Sequence, residues 1–300
     1  MYHRDMFAYH GKIAGVAKAG TGWRYLLAMP NPEGLSVDQV GELDAAASDE
    51  AWQALAGSRC IYGLSKGEYS RQRLSLVSEA VLQDPDQLLW ELSRACAEAI
   101  DNYHFTLLRT HSNDSEVEVT CLAVNKTVFS RIGQSFESRG LLLDRMLFLP
   151  EAFRKIVKPR LQAERELCLL EGDGGLHLQL FRRGRLAAFE TIGLSGEETI
   201  ERMTEEIGIV LMAVFGGRTL RRAVTAHILG GRRLHDIAAV LERQLPYDFT
   251  FTDEIWNSVP LGAGLSPEGR SAYFSALAPA YAYYLAEVCA SSPVNDAALS

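Results

Sequence analysis

A glycine-rich turn in the second half of the chain has the residue types of a phosphate-binding loop. It runs Gly172-Asp173-Gly174-Gly175. Its backbone N–H groups could face an anion, while Asp173 could hold Mg²⁺ through water. Asp-Gly is also a common choice for the turn of a simple β-hairpin. The local sequence on its own favours the hairpin, and the phosphate loop stays open as an alternative.

A second candidate for chemistry is the serine of Gly63-Leu64-Ser65-Lys66-Gly67, which matches Gly-x-Ser-x-Gly. Such a serine acts as a nucleophile only on a sharp strand-to-helix turn beside an oxyanion hole. It also needs His and acidic side chains within hydrogen-bond reach. The residues that follow alternate as in a strand, so a hairpin explains both glycines and a hydrolase is the less favoured interpretation.

Histidines and cysteines indicate neither a metal site nor a disulfide framework. His177 and His227 lie beside apolar strand residues, and each is expected to be semi-buried and hydrogen-bonded rather than a general base. None of the seven histidines has a partner at metal-ligand spacing. The five cysteines include no Cys-x-x-Cys pair, and four lie in apolar, periodic surroundings, which predicts reduced thiols in a cytosolic core.

Composition is that of a soluble globular protein. The chain has 300 residues, 47% hydrophobic and 23% charged, and a net charge of -8. This length suits one large domain or two ordinary ones. Because the net charge is negative, electrostatic attraction does not favour nucleic acid or an acidic membrane as the main binding partner.

The sequence predicts a cytoplasmic location. Its N-terminal residues, MYHRDMFAYHGK, lack the apolar core of a signal peptide. No apolar run approaches the ~18 residues that a membrane-crossing helix needs.

In the second half, alternating apolar residues predict a compact series of strands and helices. An apolar strand at residues 167–170 is followed by the glycine-rich turn, and then by a strand in which Leu176, Leu178 and Leu180 alternate with polar residues. Arg183-Gly184 marks a second reversal. The remaining predicted elements are a strand at 186–192, a helix at 197–215, a strand at 226–229, the turn Gly230-Gly231, a helix to Leu245, a loop at 247–256 and a last helix at 269–288.

The first half alternates strands and helices less regularly. Two strands, 6–18 and 23–29, are expected to meet at a hairpin turn formed by residues 19–22. Residues 37–55 have the pattern of a weak helix or a loop. The other predicted elements are strands at 58–64, 68–76, 105–109, 117–124 and 143–149, and helices at 86–103, at 127–139 ending at Gly140, and from Pro150.

This element order resembles the actin-like ATPase superfamily, in which a strand, an Asp-x-Gly turn, two strands and a helix precede a strand, a Gly-Gly turn and a helix. Asp173, Gly174 and Gly175 look like the second phosphate loop of that superfamily, and Gly230 and Gly231 look like its adenosine-side loop. The chain is similar to the PilM type, the cytoplasmic actin-like proteins of type IV pilus assembly. It is also similar to the cytoplasmic part of GspL of type II secretion and to MshI.

The resemblance implies an α/β protein with a two-lobed actin-like (ribonuclease H-like) fold and a small α+β subdomain inserted in the first lobe. The first lobe would be residues 1–164, with the insertion at about 58–124, and the second lobe 165–300. The halves could be an internal duplication.

The first phosphate loop departs from the superfamily pattern. Members that hydrolyse ATP open with a strand and an Asp-x-Gly turn, whereas this chain offers Tyr9-His10-Gly11-Lys12, with Tyr9 where the Asp should be. Gly11 would be the remaining cofactor-binding residue of that loop. Phosphoryl transfer depends almost entirely on metal and charge stabilisation, so we expect no catalytic residue, no metal site and no cofactor. ATP and Mg²⁺ would bind only if the site were functional.

The resemblance therefore implies a non-catalytic cytoplasmic scaffold of a pilus or secretion machine. It would bind the cytoplasmic tail of a PilN-like inner-membrane protein and other assembly components. It would not insert into the membrane itself, and it would bind no nucleic acid. The partner groove is expected beside the inserted subdomain, with exposed strand edges at 58–76 and 105–124. The alternative is an active actin-like ATPase or a kinase-like enzyme.

Overall fold

A computed structural model describes most of the chain. The described residues are 11–31, 34–44, 52–78, 80–96, 98–112, 117–172, 175–193, 199–215, 224–229, 232–244, 249–252, 259, 265–266, 269 and 272–289.

The described residues contain strands and helices in nearly equal measure. The strands are β1 (Ile13–Ala19), β2 (Gly22–Asn31), β3 (Gly34–Leu43), β4 (Arg59–Leu64), β5 (Ser70–Leu76), β6 (Tyr103–Ser112), β7 (Val117–Asn125), β8 (Leu142–Phe148), β9 (Arg165–Gly172), β10 (Gly175–Arg182), β11 (Arg185–Gly193), β12 (Val224–Leu229) and β13 (Phe249–Thr252). The longer helices are α1 (Pro85–Ala95), α2 (Lys126–Glu137), α3 (Leu149–Val157), α4 (Ile200–Phe215), α5 (Arg232–Gln244) and α6 (Phe274–Tyr283), which a π-helical turn, Tyr284–Cys289, continues. Short helical turns lie at Ala80–Gln83, Ile100–Asn102 and Lys158–Arg160.

Two five-stranded sheets share one topology. Their strand orders are β3-β2-β1-β4-β8 and β11-β10-β9-β12-β13. In both sheets the first three strands pair antiparallel and the last three pair parallel. This match supports the internal duplication that the order of elements suggested.

The first sheet is built around β1, which the last helix covers. The first five residues of β1 are buried, and all ten residues of α6 are buried. The two elements meet so closely that a Cβ atom on Gly15 would lie 1.8 Å from the carbonyl oxygen of Ala276. Phe153 of α3 stacks on Phe274 with ring centroids 4.8 Å apart. Glycine at position 15 is therefore a requirement of this packing.

The second sheet has an apolar face and a more polar face, and both are buried. Leu176, Leu178 and Leu180 of β10 join residues of α4 and α5 in one apolar cluster. Burial of each such side chain stabilises the fold by about 1.5–3 kcal/mol. The alternate residues, His177 and Gln179, face the other way and are also buried.

A third sheet, of order β5-β7-β6, forms the small subdomain with α1. The helix begins at Pro85 because the side chain of Asp84 accepts hydrogen bonds from the first backbone N–H groups, a standard N-terminal cap. Leu92 of α1 is fully buried and packs in a cluster with Leu74 and Val119 of the sheet. The structure thus contains a small α+β element at the predicted insertion.

The described residues group into two compact units that interleave along the chain. One lies within 1–64, 133–157 and 256–300, and the other within 65–132 and 158–255. This grouping differs from contiguous lobes at 1–164 and 165–300, since α6 packs on β1. The division into lobes stays a prediction.

Three local expectations were wrong. The helix predicted at 86–103 ends at Ala95, and strand β6 begins at Tyr103. Residues 37–43, expected as a weak helix or loop, lie in strand β3; Leu27 of β2 pairs with Gln39 and Ala28 pairs with Val37, so Asp38 is an extra residue in β3 that breaks its period-2 pattern. Residues 45–51 lie outside the described part. Within the predicted loop 247–256, residues 249–252 form β13, an edge strand too short to show a periodic pattern.

No helix in the part of the chain that the structure describes is long and apolar enough to cross a membrane.

Candidate functional site

Several strands of the second sheet end close together, and glycines are common at these strand ends. We call this end of the sheet the glycine-rich edge. Gly172 pairs with Gly175 across the β9–β10 hairpin, and Gly175 also pairs with Gly193 of β11. Strand β12 runs parallel to β9, with Leu229 opposite Leu170. The strand ends that flank both predicted phosphate loops therefore lie at the same edge. Asp173, Gly174, Gly230 and Gly231 themselves lie outside the described residues.

Gly175 is required by the sheet itself. A Cβ atom at this position would lie 2.4 Å from the carbonyl oxygen of Ile192 on the neighbouring strand. This contact explains the glycine without a ligand. A phosphate-binding role for Gly175 stays a prediction.

Gly11 lies away from the corresponding turn of the first sheet. It is exposed, precedes β1, and a Cβ atom there would meet nothing within 4 Å. Because the two sheets have the same strand order, β1 and β2 correspond to β9 and β10. The β1–β2 turn, residues 19–22, is therefore the counterpart of residues 172–175. That turn is Ala-Gly-Thr-Gly and contains no carboxylate. A cofactor role for Gly11 gains no support from this topology and stays a prediction.

Lys66 lies at the glycine-rich edge, and sequence reasoning missed it. Its Nζ atom lies 2.9 Å from the place that a Cβ atom on Gly193 would occupy. An ammonium group at this edge could face an anion beside the β9–β10 turn. Lys66 belongs to the Gly-x-Ser-x-Gly match, but that motif drew attention only to the serine. No pattern in the sequence around Lys66 indicates that its side chain lies beside the end of β11.

His177 lies two residues inside this edge, on the polar face of the sheet. It is 1% exposed, its Nδ1 atom lies 3.1 Å from Oγ1 of Thr191, and its ring stacks on Phe189. Burial, with a smaller contribution from Lys66, lowers the pKa of His177 to about 4. The imidazole is therefore neutral at physiological pH, which confirms a buried, hydrogen-bonded histidine.

Side chains at the start of β5 connect the small sheet to β11, the outermost strand of the second sheet, through hydrogen bonds and ion pairs. Arg71 donates from Nη1 to the carbonyl oxygen of Phe189 and from Nη2 to Oε2 of Glu190, both at 2.7 Å. Arg73 pairs with the other oxygen of the same carboxylate, and the Arg71 guanidinium lies 5.6 Å from the centroid of the Phe189 ring. Nearby, burial raises the pKa of Tyr69, which hydrogen-bonds Thr191. Residues 69–73 therefore join the two sheets of this unit.

Removing this attachment should cost measurable stability. In a double-mutant cycle of Arg71→Ala and Glu190→Ala, we expect a coupling free energy of about 1–2 kcal/mol, because the pair is charge-assisted and mostly shielded from water. Urea unfolding of the four proteins measures it. The exposed pair Arg202–Glu206 on α4 is the control and should give about 0.3–0.5 kcal/mol. Equal coupling in the two pairs would contradict the attachment.

A second buried polar pair joins β12 to β9. Nε2 of His227 lies 3.1 Å from Oε1 of Glu166, and the side chains are 8% and 3% exposed. The backbone N–H of Gln162 donates to the same oxygen. Within the described residues, Nδ1 of His227 and Oε2 of Glu166 have no hydrogen-bond partner. His227 is thus buried and bonded through one nitrogen, which is a structural role.

The surroundings of Ser65 do not match a catalytic serine. It is 4% exposed, and a short turn after it leads into strand β5, not into a helix. Its Oγ atom has no hydrogen-bond partner among the described residues. The hydrolase interpretation therefore lacks its required geometry.

The four cysteine thiols that the structure describes are poor nucleophiles. Cys60, Cys96, Cys121 and Cys168 are free. Burial raises the pKa of Cys60 to about 11 and that of Cys121 to about 12, so both stay protonated at neutral pH. Across the described ranges, no group of three or more His, Cys, Asp or Glu side chains is arranged to hold a metal ion.

Only part of the predicted strand-edge surface is available for pairing. β4 lies between β1 and β8, and β7 lies between β5 and β6. Among the described residues, the edge strands in the predicted ranges are therefore β5 and β6, and β6 also contacts β11.

The sequence matches no protein-family model and no curated protein. Solved structures do match. A chain of a PilM-PilN type IV pilus biogenesis complex superposes with a TM-score of 0.67 at 15% identity, covering 90% of this chain and 97% of that one. The cytoplasmic domain of EpsL, an inner-membrane component of the type II secretion system of Vibrio cholerae, superposes with a TM-score of 0.50 at 11% identity, covering 72% and 82%.

A Bacteroides thetaiotaomicron protein with an actin-like ATPase fold and unknown function also matches, with a TM-score of 0.51 at 11% identity, covering 84% of this chain and 94% of that one. The chain therefore has the actin-like ATPase fold. The predicted α/β class and the resemblance to PilM-type and GspL-type proteins are confirmed at the level of fold.

Proposed function

We propose that this protein is a non-catalytic scaffold on the cytoplasmic side of a type IV pilus or related secretion machine. It binds the cytoplasmic tail of an inner-membrane protein of PilN type. The observation that carries the proposal is the superposition on the PilM-PilN complex, because it extends over 90% of this chain and 97% of that one. Fold alone does not dictate function, so the partner must be tested directly.

The likeness to EpsL supports the same setting. EpsL is described as an inner-membrane component, and the matching part is its cytoplasmic domain. A scaffold of this kind holds a membrane protein through an extended tail, which gains affinity from apolar anchors or from added strand pairing. The partner would supply the membrane anchor. The edge strand β5 and the helix α1 are the surfaces that the small subdomain offers.

The glycine-rich edges support a binding role over catalysis. The β1–β2 turn contains no carboxylate to position a metal ion, and ATP hydrolysis depends on metal and charge stabilisation. If ATP bound at all, Gly175, Lys66 and the strand ends beside them would meet its phosphates, and bound Mg²⁺ would supply charge neutralisation.

The proposal is tested with the full chain as immobilised bait. Detergent extracts of the native inner membrane should yield one membrane protein with a short cytoplasmic tail, and a synthetic copy of that tail should release it. A bait of unrelated fold and the same net charge is the control. The scaffold proposal is wrong if the bait retains no membrane protein, or if the tail peptide fails to release the protein that is retained.

ATP is expected to have little effect on the thermal stability of the protein. A ligand at a hundredfold excess over its Kd adds about 2.7 kcal/mol of stability. With millimolar Mg-ATP we expect a rise in the melting midpoint of less than about 1 °C, measured by differential scanning fluorimetry with Mg²⁺ alone as the control. A rise of several degrees that Asp173→Ala abolishes would favour the active ATPase instead.

A further inference from the structure

Helix α1 buries one face in the small sheet and leaves large apolar side chains on the other. Trp90 is 58% exposed and Leu89 is 42% exposed, and Val77, just after β5, is 78% exposed. Of the six large apolar side chains exposed in the described residues, these three lie within fourteen positions of one another. Concentrated apolar exposure around a tryptophan is typical of a binding surface. We call the exposed side of α1 that carries Leu89 and Trp90 the α1 surface.

The tryptophan ring of this surface has a contact within its own helix. The guanidinium of Arg94 lies 4.7 Å from the centroid of the Trp90 ring, and Arg94 also pairs with Glu91 at 3.6 Å. The helix itself is anchored by the buried Leu92 and by the Asp84 cap. A side chain that is already ordered loses little conformational entropy on binding, which favours affinity.

The segment of the chain that contains the α1 surface is strongly acidic. Residues 77–102 contain six acidic residues and one arginine, and so carry a net charge of -5 out of -8 for the whole chain. Asp86, one helical turn before Trp90, is exposed, as are Glu98 and Asp101. Such a field attracts a basic partner and repels an anionic lipid surface.

We propose that the α1 surface binds a basic juxtamembrane segment of the membrane partner, with an apolar side chain of that segment against Trp90. Cytoplasmic segments next to membrane-crossing helices carry an excess of Lys and Arg. Such a segment combines positive charge with adjoining apolar residues, and it matches both properties of the surface. This inference rests on the proposed function for the membrane location of the partner, and it adds the chemistry and the place of contact.

The first test uses the full-length protein and a labelled synthetic peptide of about 15 residues, in which Lys and Arg flank a Leu-Phe pair. Fluorescence anisotropy measures its Kd, and a copy with every basic residue replaced by Glu should not bind. Trp90→Ala should weaken binding at least about tenfold, as for a central aromatic contact. Asp86→Lys should weaken it and flatten its salt dependence.

The matched control is Ile209→Ala, which removes an equally exposed apolar side chain on α4 and should leave the Kd unchanged. Circular dichroism melting of each variant checks that the fold persists. Equal Kd values for the parent protein and Trp90→Ala, or no binding of the basic peptide, would overturn the inference. Flotation of the parent protein with anionic phospholipid vesicles, lost in Trp90→Ala, would overturn it too, because a lipid surface would then be the occupant.

Retention from inner-membrane extracts separates this inference from the proposed function. If the parent protein and Ile209→Ala retain the partner and Trp90→Ala does not, both are supported. If Trp90→Ala retains it equally well, the α1 surface is wrong and the scaffold proposal stands. If the parent protein retains nothing, the scaffold proposal fails, and peptide binding alone decides whether the surface has the stated chemistry.

Discussion

Gly15→Ala is expected to destabilise the first sheet by about 3 kcal/mol or more, at the upper end of the cost of overpacking a core. The added Cβ atom would lie 1.8 Å from the carbonyl oxygen of Ala276 and 2.9 Å from Cβ of Ala280. The first of these atoms belongs to the backbone of α6, so no side-chain rotation relieves the clash. Either the helix moves away from β1 or the strand bends.

Urea and thermal unfolding measure this loss, and Gly11→Ala is the control. Gly11 precedes the same strand, and a Cβ atom there meets nothing within 4 Å, so its replacement should change stability by less than about 0.5 kcal/mol. Similar midpoints for Gly15→Ala and the parent protein would contradict the packing of α6 on β1. They would favour instead the contiguous division at residue 164.

Stability is also expected to fall as the pH drops below 7, because of His177. Burial lowers the pKa of His177 in the folded protein to about 4, from 6.5 for an unperturbed histidine. Between these two values the unfolded chain binds a proton that the folded chain does not, so acid favours unfolding. The contribution is fully present above pH ~6.5, and about 2 kcal/mol of it should be lost by pH 5.

Urea unfolding at pH 7.5 and pH 5.0 tests this expectation. His177→Asn removes the titration, so its stability should fall by about 2 kcal/mol less over this interval than that of the parent protein. His104→Asn, at an exposed position on β6, should behave like the parent protein. If His177→Asn and the parent protein lose the same stability, His177 is not the buried neutral histidine described above.

The sequence correctly predicted the turns and helix ends whose backbone conformation depends on residues adjacent in sequence. The turn at residues 19–22 was predicted from its glycines, and Gly20 has a φ of 57°, which glycine adopts at no steric cost. The same reasoning placed the reversal at Arg183-Gly184, where φ is 51° and 68°, and the end of α2 near Gly140, where φ is 69°. These signals are readable because a few adjacent side chains determine the local backbone energy.

Features formed by distant residues were missed or left undecided. The extra residue Asp38 obscured the period-2 pattern of β3, and β13 was too short to show such a pattern. Gly11 was assigned to the first phosphate loop as the glycine of an Asp-x-Gly pattern in which Tyr9 replaces Asp, whereas the matched topology gives residues 19–22 as the counterpart. Lys66 reaches Gly193 only because the chain after β4 passes the end of β11. None of these relations appears in a window of neighbouring residues.

The succession of strands, turns and helices along the chain can be read from the sequence alone, and its resemblance to the actin-like superfamily implied the actin-like α/β fold. The tertiary structure decided that the last helix returns to β1, across more than 250 positions, and that residues 69–73 fasten the small sheet to β11. It also decided that His177 is buried while Trp90 is exposed. The physical reason is that turn and periodicity signals are local free energies, whereas burial, pKa and surface exposure depend on which remote segments pack together.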